Sequence, residues 1–406
     1  MTRGAVARNH PDSLGIVERR PAGGPAIGAG RRPRVLLLIK CLGYGGAEQL
    51  LVDVVANRDV DAFDYEVAYV LAAENGLVPA VEASGVTVHA LGARGNGDLG
   101  WMPRLRRLLV TGDYDLVHFH LPYAAALGRL VALTVPRSRR PVLMYTEHSL
   151  WGKTPLLVRG LNRIAIGHDR GLIAVSEAAG DALPGPLRGR ATVVVHGIDQ
   201  TRAAELRARR DTVRGEVRAE LGVPDGAVLA LSVANLRAEK GYDVLLEAAR
   251  RVLDSGAAVR FAAVGRGPQA AEVGTQHESL GLGDRFRLLG PRSDALRLMA
   301  GADVFVLASH HEGLPVTIME ATSVGLPIVT TAVGEIPNFL TDGEDALIVP
   351  PGDPVAMAGA IGRLVADESL RCRLGRGALV HSAMFDVARA VTDIEVIYTR
   401  LLAGVA

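Results

Sequence analysis

Cysteine, net charge and long apolar runs are scarce in this 406-residue sequence, and each scarcity excludes a class of protein. The two cysteines, Cys41 and Cys372, lie too far apart for a metal or redox motif, so we expect small core residues in a reducing compartment. The net charge of +1 excludes nucleic-acid binding through bulk positive charge. No run of about 18 apolar residues exists, so we expect no transmembrane helix.

The N-terminal residues also lack the features of a folded or exported segment. Residues 1–33 are rich in glycine, proline, alanine and arginine, with no apolar periodicity. They also lack the continuous apolar segment of a signal peptide. We therefore expect a disordered N-terminal extension, residues 1–33, on a cytoplasmic protein.

From residue 34 onward, short apolar runs alternate with helical patterns. The first run, Val35–Ile39, leads into a glycine loop at Gly45 and Gly46 and then into a helical pattern. Similar units follow along the chain. The alternation predicts an α/β fold with parallel sheets, in which ligands bind beyond the carboxyl ends of the strands.

The alternation is interrupted once, by a charged segment at residues 200–220 that has no strand signal. This interruption predicts two Rossmann-like domains, residues 34–205 and 206–385, that face each other across an interdomain cleft. A final helical pattern at residues 386–406 is not followed by a strand. We expect this helix to cross the domain junction.

Two glutamates, Glu312 and Glu320, mark the most informative stretch of the sequence. Glu312 lies in a polar turn after an apolar run, and Glu320 lies in the helical pattern that follows. Pro315 suits the first position of that helix, and Gly325 suits its end. Carboxylates beside a helix N-terminus can bind hydroxyl groups while the N-terminus binds a phosphate, which suits a sugar phosphate ligand.

The segment around these glutamates has no positive charge of its own. Between Arg297 and Arg363 the sequence contains eight acidic residues and neither lysine nor arginine. A diphosphate bound there would need cations from elsewhere. Arg237 and Lys240 follow an apolar run and precede a helical pattern, and we expect them to supply that charge.

Histidines at strand ends form a third group of candidates. His118 and His120 alternate on one predicted strand, so they share a face, and His148 ends the next strand. A zinc site would need a third ligand, which is not evident nearby, so no metal is predicted. Two interpretations remain open, namely hydrogen bonding to a sugar or acceptor hydroxyl and an ordinary structural histidine.

These motifs together resemble the retaining glycosyltransferases of family 4, which have the two-domain GT-B fold. The resemblance spans roughly residues 34–400. In the second half it rests on five motifs in the family's order: Ser232–Gly241, Val264–Pro268, Leu289–Gly290, Glu312–Ala321 and Gly334–Pro337. In the first half it rests on four: Gly45–Glu48, His118–His120, Thr146–His148 and Ala174–Glu177.

The resemblance implies a role for each candidate residue. Arg237 and Lys240 would hold the donor diphosphate, Glu312 the transferred sugar and Glu320 the ribose. His120 would lie at the reacting centre. Further donor contacts are implied for Gly46, Gly265, Leu314, Pro315 and Thr317, and acceptor contacts for His118 and His148. One position departs from the family, because His196 stands where an asparagine is usual.

The activity implied is retaining transfer of a sugar from a nucleoside-diphosphate sugar, UDP rather than GDP, to a hydroxyl of a glycan, lipid-linked or small-molecule acceptor. Cationic side chains would stabilise the leaving group, so no cofactor or metal is predicted. Two alternatives remain open. One is a sugar-nucleotide epimerase on the same fold, and the other is a degenerate transferase that acts as a binding subunit.

Peripheral contact with the inner membrane surface is a further expectation. The segment Trp101–Leu109 combines an aromatic residue, aliphatic residues and three arginines, as interfacial helices do. The alternative is an amphipathic helix that packs its apolar face on the sheet. The sequence does not predict an oligomeric state.

Overall fold

The computed structural model describes residues 31–148, 151 and 155–404. The predicted disordered extension therefore lies outside the described residues except for positions 31–33. The remainder forms two α/β domains, each built on one parallel sheet. This architecture confirms the predicted fold class.

The first domain contains a seven-stranded sheet in the order β3-β2-β1-β4-β5-β6-β7. Its strands are β1 Arg34–Ile39, β2 Asp64–Leu71, β3 Thr87–Ala93, β4 Leu116–His120, β5 Val142–Glu147, β6 Gly171–Ala174 and β7 Ala191–Val193. Its helices are α1 Gly46–Ala56, α2 Val78–Ala83, α3 Trp101–Thr111, α4 Pro122–Leu133, α5 Leu156–Ala165, α6 Glu177–Asp181 and α7 Gly185–Arg188.

Strand β1 lies inside this sheet, between β2 and β4, and is covered on both faces. Val35, Leu37 and Ile39 pack into the core on one face, and Leu36 and Leu38 pack into the core on the other. Side chains alternate along a strand, so a strand covered on both faces must be apolar at every position.

The second domain contains a six-stranded sheet in the order β10-β9-β8-β11-β12-β13. Its strands are β8 Val228–Val233, β9 Val259–Val264, β10 Phe286–Leu288, β11 Val304–Leu307, β12 Ile328–Thr331 and β13 Ala346–Val349. Its helices are α8 Gln200–Ala208, α9 Arg210–Glu220, α10 Tyr242–Asp254, α11 Ala270–Ser279, α12 Ala295–Gly301, α13 Val316–Ser323, α14 Ile336–Phe339, α15 Pro354–Ala366 and α16 Glu368–His381. Helix α8 spans the predicted boundary at residues 205 and 206, and its Ala203 packs in the core of this second domain.

The chain passes between the domains twice, and the two passages lie side by side. The Ile198 N–H donates to the Phe385 carbonyl at 3.0 Å, and the Val387 N–H donates to the Ile198 carbonyl at 3.2 Å. Position 197 is glycine because a Cβ there would collide with the backbone of Asp386. These hydrogen bonds make a short two-stranded ribbon at the junction.

The last helix, α17 Val387–Ala403, returns to the first domain after this ribbon. Val391, Ile394, Tyr398 and Leu402 pack in the same core as β1 and β2. The predicted crossing of the junction by the C-terminal helix is confirmed.

Helix α3 at Trp101–Leu109 has the alternative arrangement, in which its apolar face packs on the sheet, and peripheral membrane contact of the protein stays a prediction. Trp101, Leu105 and Leu109 are buried in the first-domain core. The apolar face of α3 therefore covers the sheet and is not available to a lipid surface. None of the helices in the described part of the chain has the length and apolar character needed to cross a bilayer.

Candidate active site

The turn that carries Glu312 is held from behind by the loop after β12. The Glu335 N–H donates to the Gly313 carbonyl at 3.0 Å, and the Thr331 hydroxyl donates to the Ser309 carbonyl at 2.6 Å. Gly334 has φ +55°, and a Cβ there would collide with the Glu312 carbonyl oxygen. Glycine is required at position 334 for both reasons.

Glu312 and Lys240 form the central ion pair of the site. Lys240 Nζ lies 2.7 Å from Glu312 Oε1 and 2.7 Å from Oε2, and the Ser309 hydroxyl donates to Oε1 at 2.6 Å. The loop that carries Lys240 ends at Gly241, whose φ is +64° and which lies against the Ala308 carbonyl. The predicted sugar contact and the predicted diphosphate contact are thus paired with each other in the structure.

Helix α13 begins one residue later than the sequence suggested. Pro315 is its N-cap, with ψ 124°, and Val316 is its first residue. Proline at the N-cap still fixes an extended entry into the helix, and its missing N–H again leaves no donor unpaired. The predicted end is confirmed, because Gly325 has φ +67° and follows the last turn.

The N-termini of α1 and α13 meet across the cleft. Gly46 is the first residue of α1, and a Cβ there would lie 3.3 Å from Val316 Cγ2, on the first residue of α13. Thr317 follows in the first turn of α13. Each helix N-terminus carries unpaired N–H groups and a partial positive charge, so their convergence creates an anion-binding position between the domains.

Glu320 lies deeper along α13, opposite Asp53 of α1. Burial, with the Asp53 carboxylate as a second cause, raises the pKa of Glu320 to about 8, and Arg202 opposes the shift. Burial also raises the pKa of Asp53 to about 6. The two domains therefore bring together two carboxyl groups whose pKa values are both raised.

Two further predicted donor residues have contrasting surroundings. Arg237 is exposed, and no described residue forms an ion pair with its guanidinium. Gly265 is packed, because a Cβ there would collide with the Ala234 carbonyl oxygen. Gly265 thus sets the approach of two loops, and Arg237 is available to a ligand. Of the remaining predicted contacts, Pro315 is buried and Leu314 packs against Ile198, Met319 and Phe385.

Four imidazole rings form a row in which the first two contacts are tilted and the third is a parallel stack. Ring centroids lie 4.2 Å apart for His118 and His120, 5.3 Å for His120 and His148, and 5.3 Å for His148 and His196. Burial lowers the pKa of His118, His120 and His148 well below the ordinary value, and it lowers the pKa of His196 to about 4. The row is therefore uncharged at neutral pH.

Within this row, His118 and His120 have different hydrogen-bonding capacity. His118 Nδ1 pairs with the Tyr398 hydroxyl at 2.6 Å and Nε2 pairs with the Thr146 hydroxyl at 2.7 Å. Both ring nitrogens of His118 are thus already hydrogen-bonded, so neither is left to contact the acceptor substrate, which favours a structural role. His120 Nδ1 pairs with His148 Nε2 at 3.0 Å, but its buried Nε2 has no partner among the described residues.

Glu335 and His196 are the functional candidates that sequence reasoning did not assign. The buried Glu335 carboxylate accepts a hydrogen bond from the Ala178 N–H, on the other side of the cleft, and another from Asn338 Nδ2 at 2.8 Å. His196 stacks on His148, and its buried Nε2 has no partner within the described residues. The departure from the family's asparagine at position 196 was the available signal.

Metal ligands do not converge in the part of the chain that the structure describes, where no three His, Cys, Asp or Glu side chains are arranged to hold an ion. The groups at the cleft are instead a cationic lysine and arginine, two helix N-termini and neutral imidazoles. Independence from metal and cofactor stays a prediction.

Comparison with known proteins gives concordant matches along the chain. The family model described as Glycosyltransferase Family 4 matches residues 45–202, and the model described as Glycosyl transferases group 1 matches residues 213–379. D-inositol 3-phosphate glycosyltransferase 1 of Catenulispora acidiphila is 28% identical over 336 residues, which cover 76% of this chain and 78% of that protein. D-inositol 3-phosphate glycosyltransferase of Thermomonospora curvata is 30% identical over 317 residues, 71% of this chain and 72% of that protein.

A solved structure shares the fold. HepE of Anabaena, in complex with UDP and glucose, superposes with a TM-score of 0.77 at 22% sequence identity and covers 91% of this chain and 100% of its own. The likeness extends over both domains.

Proposed function

The chain belongs to glycosyltransferase family 4, within group 1 of the glycosyl transferases, and we propose that it transfers a sugar from a UDP-sugar to a hydroxyl acceptor with retention of anomeric configuration. Family membership makes the chain a glycosyltransferase. The UDP donor, the stereochemistry and the acceptor are the proposed part.

The observation that carries the proposal is the meeting of two helix N-termini beside the Lys240–Glu312 pair. Gly46 of α1 and Val316 of α13 lie in contact, and the Lys240 ammonium lies on the Glu312 turn just before α13. A diphosphate placed there receives N–H groups from both helices and charge from Lys240 and the exposed Arg237. The presence of UDP in HepE supports this choice of nucleotide.

Binding of the donor would change the partner of Lys240. Its ammonium is paired with the Glu312 carboxylate in the structure. A diphosphate is a stronger competitor for the ammonium because it carries more charge. Glu312 would then be released to accept hydrogen bonds from hydroxyls of the transferred sugar, so the pair would couple phosphate binding to sugar binding.

The chemistry then follows from where charge develops. Negative charge grows on the departing diphosphate, and Lys240, Arg237 and the helix N-termini stabilise it. Positive charge grows on the sugar ring, as in other glycosyl transfers. The uncharged His120, whose Nε2 has no described partner, can hydrogen-bond to the sugar without adding repulsion.

Retention is proposed to arise on one face of the sugar. The acceptor hydroxyl approaches on the side of the leaving group, and a donor phosphate oxygen takes its proton. Glu312, held on one oxygen by the Ser309 hydroxyl, would position the sugar by accepting hydrogen bonds from its hydroxyls and would not attack it. His148, with the rest of the first domain, would line the acceptor side.

A thermal-shift screen tests the nucleotide first. UDP and UDP-sugars should raise the melting temperature more than GDP and GDP-sugars at equal concentration, because a ligand that binds only the folded state stabilises it by mass action. Equal or greater stabilisation by GDP would overturn the UDP assignment.

A product assay tests the reaction. D-inositol 3-phosphate, named in the curated relatives, is the first acceptor to try. The anomeric coupling in the NMR spectrum of the glycoside should match that of the donor, and K240A and E312A should abolish transfer. Full transfer by both variants, or an inverted product, would contradict the mechanism. Conversion of the UDP-sugar to its epimer without an acceptor would favour the epimerase alternative.

A further inference from the structure

Helix α5 of the first domain exposes its apolar side chains. Leu156, Leu157 and Ile164 are 76%, 77% and 78% exposed, more than the other large apolar side chains of the first domain that the structure describes. With Gly160 and Arg163 they form the outward side of the helix, because residues three, four and seven apart share a helix face. We call these five residues the α5 outer face.

The inward side of α5 is held by polar groups. Asn162 is fully buried, and its Nδ2 donates to the Pro122 carbonyl at 2.8 Å while its Oδ1 accepts from Arg129 of α4. Arg129 is also fully buried, and its Nε lies 3.0 Å and 2.9 Å from the two carboxylate oxygens of Asp169. Polar contacts therefore help to fix α5 to the domain, and three of its large apolar side chains point away from it.

The segment that carries the α5 outer face has a positive net charge. Residues 155–170 contain Arg159, Arg163 and Arg170 and one acid, Asp169, which is buried against Arg129. Arg163 is exposed beside Ile164. Exposed leucine and isoleucine with adjacent arginines match the chemistry of a bilayer surface that contains anionic lipid.

We propose that the α5 outer face docks the protein on an anionic phospholipid bilayer. Leu156, Leu157 and Ile164 enter the boundary between headgroups and acyl chains, and Arg163 contacts lipid phosphates. The surface differs from helix α3, whose apolar residues are buried. It is also close in sequence to a predicted acceptor residue, because α5 begins eight residues after His148.

A second copy of the chain fits this face less well than a bilayer. A helix of ten residues is about 15 Å long, and one of its faces offers far less area than the roughly 800 Å² that each partner contributes to a stable protein interface. The exposed arginines would also face each other across a twofold axis. Self-association is therefore the competing outcome that the experiment must detect.

Co-sedimentation with vesicles, in the absence of nucleotide, tests the proposal. Vesicles of 30% phosphatidylglycerol in phosphatidylcholine should bind the wild-type protein, and vesicles of phosphatidylcholine alone should bind it weakly. L156S/L157S and R163E should each weaken binding to the vesicles. The leucine pair should weaken it by about tenfold or more, because the loss of one leucine from the interface already lowers the affinity by up to about tenfold.

Matched variants control for a general loss of apolar or basic surface. Val380 on α16 is 76% exposed, equal to Leu156, so V380S removes a comparable side chain from the second domain. R106E/R107E removes positive charge from α3. Both controls should bind vesicles as the wild type does, and all variants should keep the wild-type melting temperature.

Three results would overturn the proposal. They are no binding of the wild type to the anionic vesicles, equal binding by the α5 variants, and equal loss in V380S or R106E/R107E. Conversion of a dimer to a monomer by L156S/L157S, seen by light scattering without any vesicle binding, would assign the face to self-association. Stabilisation by UDP is measured separately on the same variants, so failure of the donor assignment and failure of membrane docking give different results.

Discussion

Replacing Lys240 by methionine should destabilise the second domain and should do so through Glu312. The ammonium lies 2.7 Å from both carboxylate oxygens of Glu312, whose side chain is only 6% exposed, and the lysine side chain is 21% exposed. Loss of one partner from a fully buried pair costs about 3–5 kcal/mol, and the solvent access of Lys240 reduces this to about 2 kcal/mol. In a domain of this size that corresponds to a fall in melting temperature of roughly 4–8 °C.

A double-mutant cycle isolates the pair from other effects of the methionine. E312Q alone removes the buried charge and should cost about 1 kcal/mol or less, because Lys240 still reaches water. The combined K240M/E312Q protein should be more stable than K240M, since no unpaired carboxylate remains. The coupling free energy should be about 1–2 kcal/mol.

Calorimetry and fluorescence together make this measurement specific to one domain. Both tryptophans, Trp101 and Trp151, lie in the first domain, so tryptophan fluorescence follows that domain. The K240M shift should appear in the calorimetric transition of the second domain and be smaller in the fluorescence transition. Strictly additive single substitutions, or an E312Q protein as unstable as K240M, would refute the reasoning.

Three other predictions concern single positions at the cleft. Glu320 has a pKa of about 8 in the folded protein, so the unfolding free energy should fall as pH rises from the ordinary glutamate pKa toward 8. Melting curves of E320Q should lack this slope, and an unchanged slope would contradict the assignment. R237A should keep the wild-type melting temperature but bind UDP about tenfold or more weakly by calorimetry, because its guanidinium is exposed and free for a phosphate; undiminished UDP affinity would remove it from the site. G265A should lower the unfolding free energy by about 2 kcal/mol or more, because its Cβ would collide with a backbone carbonyl. G274A, with open space around it on α11, should be neutral or stabilising in the same urea titration, and similar losses of unfolding free energy in the two variants would contradict the packing explanation.

The elements that the sequence predicted well are those fixed by local chemistry. The apolar run Val35–Ile39 forms a strand as predicted, with Arg34 added at its start, because a strand buried on both faces needs an unbroken apolar run. Gly325 ends α13 as expected, since its positive φ is a local requirement. Pro315 was misplaced by one residue, because both the N-cap and the first helical position tolerate a missing N–H.

The contacts that the sequence did not predict depend on distant segments. His118 and Tyr398 are 280 residues apart and meet only because α17 returns to the first domain. Helices α3 and α5 both have an amphipathic pattern, and the pattern cannot say which face turns inward. For α5 the answer comes from the buried Arg129, which pairs with Asp169 and also donates to the amide oxygen of Asn162.

The same limit applies to the candidate site. The types and order of its residues indicated a diphosphate and a sugar, but the pairing of Lys240 with Glu312 needed coordinates. So did the opposition of Glu320 and Asp53, which come from different domains. Residue types predict which groups a ligand meets, and only the packing of the two domains determines how those groups interact before it arrives.

The return of α17 to the first domain has a consequence for biosynthesis. The core beneath β1 and β2 includes Val391, Ile394, Tyr398 and Leu402, which leave the ribosome after the entire second domain. The second domain is one continuous segment and can fold during translation, whereas the first-made domain keeps an uncovered apolar surface until α17 has been made. The N-terminal domain is usually the first to complete its fold, whereas in this chain it is completed after the second domain has been made. The time for which its apolar surface is exposed lengthens with every residue of the second domain.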